Sequence, residues 1–137
     1  MTRRYPLSFG YRDLVVGNGY VAAVAAQGRA LAVQEADGVW LYGVHPGGIA
    51  GGGATEAAAH QEFRRMFKAV LYDIAAEAVD FEDFRGGVEG FFEDVDRRGE
   101  QEWLAASRKP ITAGGRLALP KSSVRPPKVE IQEVSGC

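Results

Sequence analysis

Residues Gly28–Phe67 read GRALAVQEADGVWLYGVHPGGIAGGGATEAAAHQEFRRMF, and this run decides the fold class. Two short apolar segments, Arg29–Glu35 and Val39–Val44, meet at Asp37-Gly38, a dipeptide suited to a tight hairpin because glycine tolerates positive φ. The second segment empties into a glycine-rich bend, Pro46-Gly47-Gly48-Ile49-Ala50-Gly51-Gly52-Gly53. A helix is predicted to open at Thr55-Glu56-Ala57, with Thr55 as N-cap and Glu56 at the positive end of the dipole. Downstream, Phe63, Met66, Phe67, Val70, Leu71, Ile74 and Ala78 recur at intervals of three and four, the spacing of one buried helical face. In the first strand Leu31 and Val33 fall on one face and Ala30 and Ala32 on the other. Alanine is a poor strand former, so its abundance points to thin side chains under a close-lying helix.

Towards the N-terminus, Asn18-Gly19 and Gln27-Gly28 add two turn signals, which predict strands at Arg12–Val16 and Tyr20–Ala26. Connections this short exclude parallel crossovers, so the strands pair as an antiparallel meander. Towards the C-terminus, Asp80 predicts a second helix start, with Asp83 at N3 and Val79 and Phe84 placed for a hydrophobic staple. Gly86, Gly87 and Gly90 weaken that helix and suggest the close approach of the helix before it. Arg97-Arg98-Gly99 reads as a helix end, followed by two more turns over Glu100–Ser107. Beyond Lys109, glycine and proline break any helical period, with short strands expected at Leu117–Leu119 and Lys128–Val134. The expected architecture is α+β: a meander of three to four strands packed by a long amphipathic helix, then a second helix and an extended tail. Residues 1–108 form the domain and residues 109–137 a basic extension rich in proline and glycine.

The chain has 137 residues, 46% hydrophobic and 25% charged, which suits one folded domain with a real core. No apolar run reaches the ~20 residues of a membrane span, and Met1–Pro6 lacks the apolar core of a signal peptide, so a cytoplasmic location is expected. The single Cys137 leaves no intrachain disulfide and no cysteine-based zinc site within this chain. The net charge of −2 conceals an asymmetry. Asp73–Glu102 holds eleven acidic residues against Arg85, Arg97 and Arg98, whereas Arg108 to Lys128 is uniformly basic. Such a division suggests two different partners. Asp83, Glu89, Glu93 and Asp94 are the candidate partner-binding residues. Arg116, Lys121, Arg125 and Lys128 are the candidate nucleic-acid contacts, of a kind that gives salt-sensitive, sequence-poor binding.

Glycines before a helix can cradle an anion, and His45, Gly52, Gly53 and Thr55 are the candidate ligand corner. Neither a Gly-Lys-Ser/Thr nor a dinucleotide fingerprint follows, and no cofactor is expected. His45 and His60 flank the bend and could approach each other across it. Neither metal-ligand spacing nor a nucleophile accompanies them, so no metal site and no catalytic residue is assigned.

The succession of Glu35-Ala36-Asp37-Gly38, a strand with Trp40 and Tyr42, Pro46-Gly47, and Gly53-Ala54-Thr55 before an alanine-bearing helix resembles the HicB-like antitoxin domain. The match covers roughly 45 of the 137 residues, all of them turn, strand and cap positions. The resemblance implies a partial ribonuclease-H-like fold, a homo-oligomer, and an antitoxin that covers a small basic toxin. It implies no catalysis. The chain departs from that family in its longer first helix, its aromatic-rich second helix, and a C-terminus without a helix-turn-helix pattern. There, Ile111–Lys121 is instead similar to the opening of swapped-hairpin DNA-binding domains, whose later elements the chain does not reproduce.

Overall fold

A computed structural model describes residues 3–108 and 126–134. The Asn18-Gly19 turn, with Gly19 at φ 78°, joins β1 (Arg3–Val16) to β2 (Val21–Glu35). The two strands pair antiparallel along their whole length, from Arg3↔Gln34 to Val16↔Val21. The sequence placed a turn at Gln27-Gly28, and this is corrected: both residues lie inside β2, which joins the two strands expected there. Gly28 serves close approach instead, since a Cβ there would meet the Phe9 ring and the His45 carbonyl. β1 likewise begins nine residues earlier than expected, because its alternating Tyr5, Leu7, Phe9 and Tyr11 face the core despite Pro6 and Gly10.

The Asp37-Gly38 hairpin forms as expected and leads into β3 (Gly38–His45). The glycine-rich bend then holds a further strand, β4 (Ala50–Gly53), with Trp40 opposite Gly52 and Leu41 opposite Gly51. Three consecutive glycines obscured it, because a strand is ordinarily recognised by its side chains. The reason for glycine is the helix above: a Cβ on Gly51 would lie 2.5 Å from the Phe63 nitrogen, and one on Gly53 2.6 Å from the Ala58 Cβ. The last strand, β5 (Lys128–Glu133), falls within the Lys128–Val134 strand read from the sequence. It pairs with Ala22–Gln27 of β2, along the edge that β3 occupies further on.

Helix α1 (Glu56–Glu77) starts behind Thr55, whose Oγ1 accepts from the Ala58 N–H at 3.1 Å. Helix α2 (Phe81–Phe92) starts behind Asp80, whose carboxylate accepts from the Asp83 N–H at 2.8 Å, while Asp83 accepts from the Val79 N–H at 3.0 Å. Val79 is 78% exposed, so the expected staple to the buried Phe84 is not a core contact. Gly87 admits Ile74 of α1, as anticipated, but Gly86 and Gly90 face open space. Arg97-Arg98-Gly99, read as a helix end, begins α3 (Arg97–Arg108) instead. Asp96 supplies the cap that was missed, its carboxylate accepting from the Gly99 N–H at 3.2 Å.

The sheet separates two layers. Helices α1 and α2 cover one face, where Phe63, Phe67, Leu71, Phe84, Val88 and Phe92 bury against Ala22, Val24, Ala26, Ala30 and Ala32 of β2. The small residues of β2 thus underlie bulky helix side chains, as their alternation implied. Each large apolar side chain buried there contributes about 1.5–3 kcal/mol. Helix α3 lies on the reverse face, where Trp103 packs with Leu31 and Val44. The result is an antiparallel sheet of α+β class. No helix among the described residues is long and apolar enough to cross a membrane.

Candidate interaction surface

The two flanks of α1 differ in chemistry, and each overhangs one outer strand. On the β1 side, Arg64 donates to the Gly10 carbonyl at 2.8 Å, Tyr72 donates to the Leu14 carbonyl at 3.4 Å, and Lys68 lies 3.7 Å from Asp13. Tyr11 donates to the same Asp13 carboxylate, and burial together with that carboxylate pushes the phenol pKa upward. From the reverse face, Trp103 Nε1 donates to the Leu7 carbonyl at 3.0 Å, and Arg29 lies 4.2 Å over the indole. Burial lowers the Arg29 pKa from its ordinary value, opposed by the charge of Glu100. The cation is held by its aromatic neighbour.

On the β4 side the helix carries no such clamp. Its backbone rests on Gly51 and Gly53, and among the described residues no side-chain hydrogen bond reaches Ala50–Gly53. From Ala30 to Phe63 the sequence holds no lysine or arginine. Asp37 marks the turn beside Gly53, and at the opposite end of β4 the Gly47 N–H donates to the Asp94 carbonyl at 2.7 Å, with Asp96 alongside. Over this edge on the reverse face stand Trp40 and Tyr42, stacked at 6.3 Å and 45% exposed each. The Trp40 indole lies over Gly52, where a Cβ would come within 2.7 Å of the ring.

Compared with known proteins, the chain matches no family model, no curated protein and no solved structure.

Of the candidate partner-binding residues, Glu89, Glu93 and Asp94 are exposed on or just beyond α2, and Glu82 joins them from its first turn. Asp83 is exposed too, but its carboxylate holds the Val79 N–H and so caps the helix. In the candidate ligand corner, Thr55 is occupied as the α1 cap, Gly53 abuts Ala58, and Gly52 underlies Trp40. His45 is partly buried against Phe92, with ring centroids 4.9 Å apart. Desolvation lowers its pKa, with Arg29 acting in the same direction and Glu100 and Glu93 opposing it. His60 lies on α1, and among the described residues no hydrogen bond or ring contact joins it to His45. No group of three or more metal-ligating side chains occurs among the described residues. Lys128 lies in β5, 3.2 Å from Glu130. Arg116, Lys121, Arg125 and Cys137 lie outside the described residues.

Sequence reasoning missed the exposed aromatic pair, although the alternation of β3 carried the signal. Val39 and Leu41 turn into the core, which sends Trp40 and Tyr42 to the other face.

Proposed function

We propose that the chain is a non-enzymatic protein-interaction module of HicB-like antitoxin type, whose acidic surface covers a small basic protein. The observation that carries this reading is the exposed carboxylates of Glu89, Glu93 and Asp94 on and just beyond α2, where Glu82 pairs with Arg85 at 3.5 Å, together with a stretch of chain, Ala30 to Phe63, free of lysine and arginine. Such a field speeds encounter with a cationic partner and rejects anionic ones, nucleic acid included. The motif residues of the resemblance also support it, since Asp37-Gly38 turns a hairpin and Thr55 caps the following helix. Anion capture at the glycine corner fits less well, because Glu56, Asp94 and Asp96 surround it.

The test is affinity isolation from the native cells at low and high salt. A small basic protein retained at low salt and released at high salt is expected. Replacing Glu89 and Glu93 with Gln and Asp94 with Asn should weaken its retention at least tenfold. Recovery of this chain alone at every salt concentration contradicts the proposal.

A further inference from the structure

We infer that the free edge of β4 is the docking edge for that partner, receiving an extended cationic segment as an added strand. The inference rests on the proposed reading of a basic partner and locates where it binds. Three independent features converge on this edge. First, among the described residues Ala50–Gly53 end the sheet, pair with β3 alone, and lack the side-chain donors that occupy carbonyls along β1. An unpaired edge without protecting side chains is a template for another strand. Second, Trp40 and Tyr42 are exposed immediately beside it, with no side chain at Gly52 to screen the indole. In an added strand alternate side chains would fall on this reverse face, so apolar residues at every second position would cover both rings. Third, acidic residues stand near both ends of β4: Asp37 lies beside Gly53 at one end, and beyond the other Asp94 and Asp96 meet Gly47, while the Glu56 carboxylate turns away and accepts from Tyr5 of β1 at 2.9 Å.

That charge pattern selects the occupant. A second copy pairing antiparallel through β4 would bring Asp37 of each copy towards Asp94 and Asp96 of the other, which is repulsive. A strand with lysine or arginine at alternate positions meets carboxylates at both ends. Four residues of strand span about 13 Å, so a partner segment of about four to six residues fills the edge.

The probe is a seven-residue peptide alternating lysine and valine, blocked at both termini, titrated into the full chain. Tryptophan emission and amide NMR shifts provide the readouts. Saturable binding is expected, with shifts centred on Ala50–Gly53, and Trp40→Ala should weaken it at least tenfold. The fully N-methylated peptide keeps the charge but loses every backbone donor, and it too should bind at least tenfold more weakly. Equal binding of both peptides, abolished by neutralising Glu89, Glu93 and Asp94, overturns the edge while leaving the acidic-surface reading intact. Absence of binding by either peptide overturns the edge site. Shifts at Ala50–Gly53 that arise on concentrating the protein alone, and vanish in Trp40→Ala, assign the edge to a second copy and also overturn it.

Discussion

The outer strands β1 and β4 belong to one sheet and meet the same helix, yet their backbones are treated in opposite ways. Along β1, the outward carbonyls of Gly10 and Leu14 are taken by Arg64 and Tyr72, and Lys68 approaches Asp13 from above. Along β4 the side chains have been removed, the helix backbone presses on glycine, and exposed aromatics border the edge. Side-chain donors on an edge discourage further pairing, whereas a bare edge invites it. On the proposed reading, difference in function follows difference in composition: β1 closes the molecule and β4 is left open to a partner.

The largest effect is expected where β4 meets α1. Gly51→Val forces a side chain to within 2.5 Å of helix backbone, which cannot move aside as a side-chain end can. A loss of about 3 kcal/mol in urea denaturation is expected. A loss below 0.5 kcal/mol would show that β4 does not carry the helix as described. Next in size is Trp103→Phe, which keeps a ring on the reverse face but removes the indole donor that the Leu7 carbonyl accepts beside its pairing with β2, and weakens the Arg29 contact. It should cost about 1–2 kcal/mol by the same measurement. Arg64→Ala combined with Tyr72→Phe frees the Gly10 and Leu14 carbonyls with little loss of stability, at most about 1 kcal/mol. Its signature is instead new self-association through β1, visible by sedimentation. A double variant as monodisperse as its parent would remove the guarding role of these side chains.

The helices could be read from the sequence and the two edges could not, for reasons that differ by element. Thr55, Asp80 and the helical period of Phe63–Ala78 act within a turn or two of chain, so local rules found both α1 and α2. β4 could not be found that way, because Gly51–Gly53 are glycine on account of a helix whose position is a tertiary fact. Gly28 misled for the same reason: its neighbours are Phe9 and His45, distant in sequence, and no local turn is involved. The acidic residues were legible as a charge run, yet sequence alone did not separate Asp83 and Asp96, which cap helices, from Glu89 and Glu93, which are exposed. The guarded edge was illegible, since Arg64 and Tyr72 look like ordinary polar-face residues until β1 lies beneath them.

Two smaller effects concern the acidic side. Gly86→Ala and Gly90→Ala enter open space on α2 and should each stabilise the fold by about 0.5–1 kcal/mol, raising the denaturation midpoint. Destabilisation by either would mean that a neighbour packs there. His45 gives a pH signature, because desolvation depresses its pKa in the folded state. The unfolded chain then binds the proton more readily, so stability is full above about pH 6.5 and falls as pH drops towards the lowered folded value. His45→Gln should flatten the fall in denaturation midpoint between pH 7 and pH 5. An unchanged slope would place the titrating group elsewhere.

Hydrogen exchange of the chain with and without the proposed basic partner tests the comparison of the two edges most directly. Binding is predicted to slow exchange in Ala50–Gly53 and around Glu89–Asp94 while leaving Arg3–Val16 unchanged. Slowed exchange along Arg3–Val16, with none in Ala50–Gly53, would contradict it.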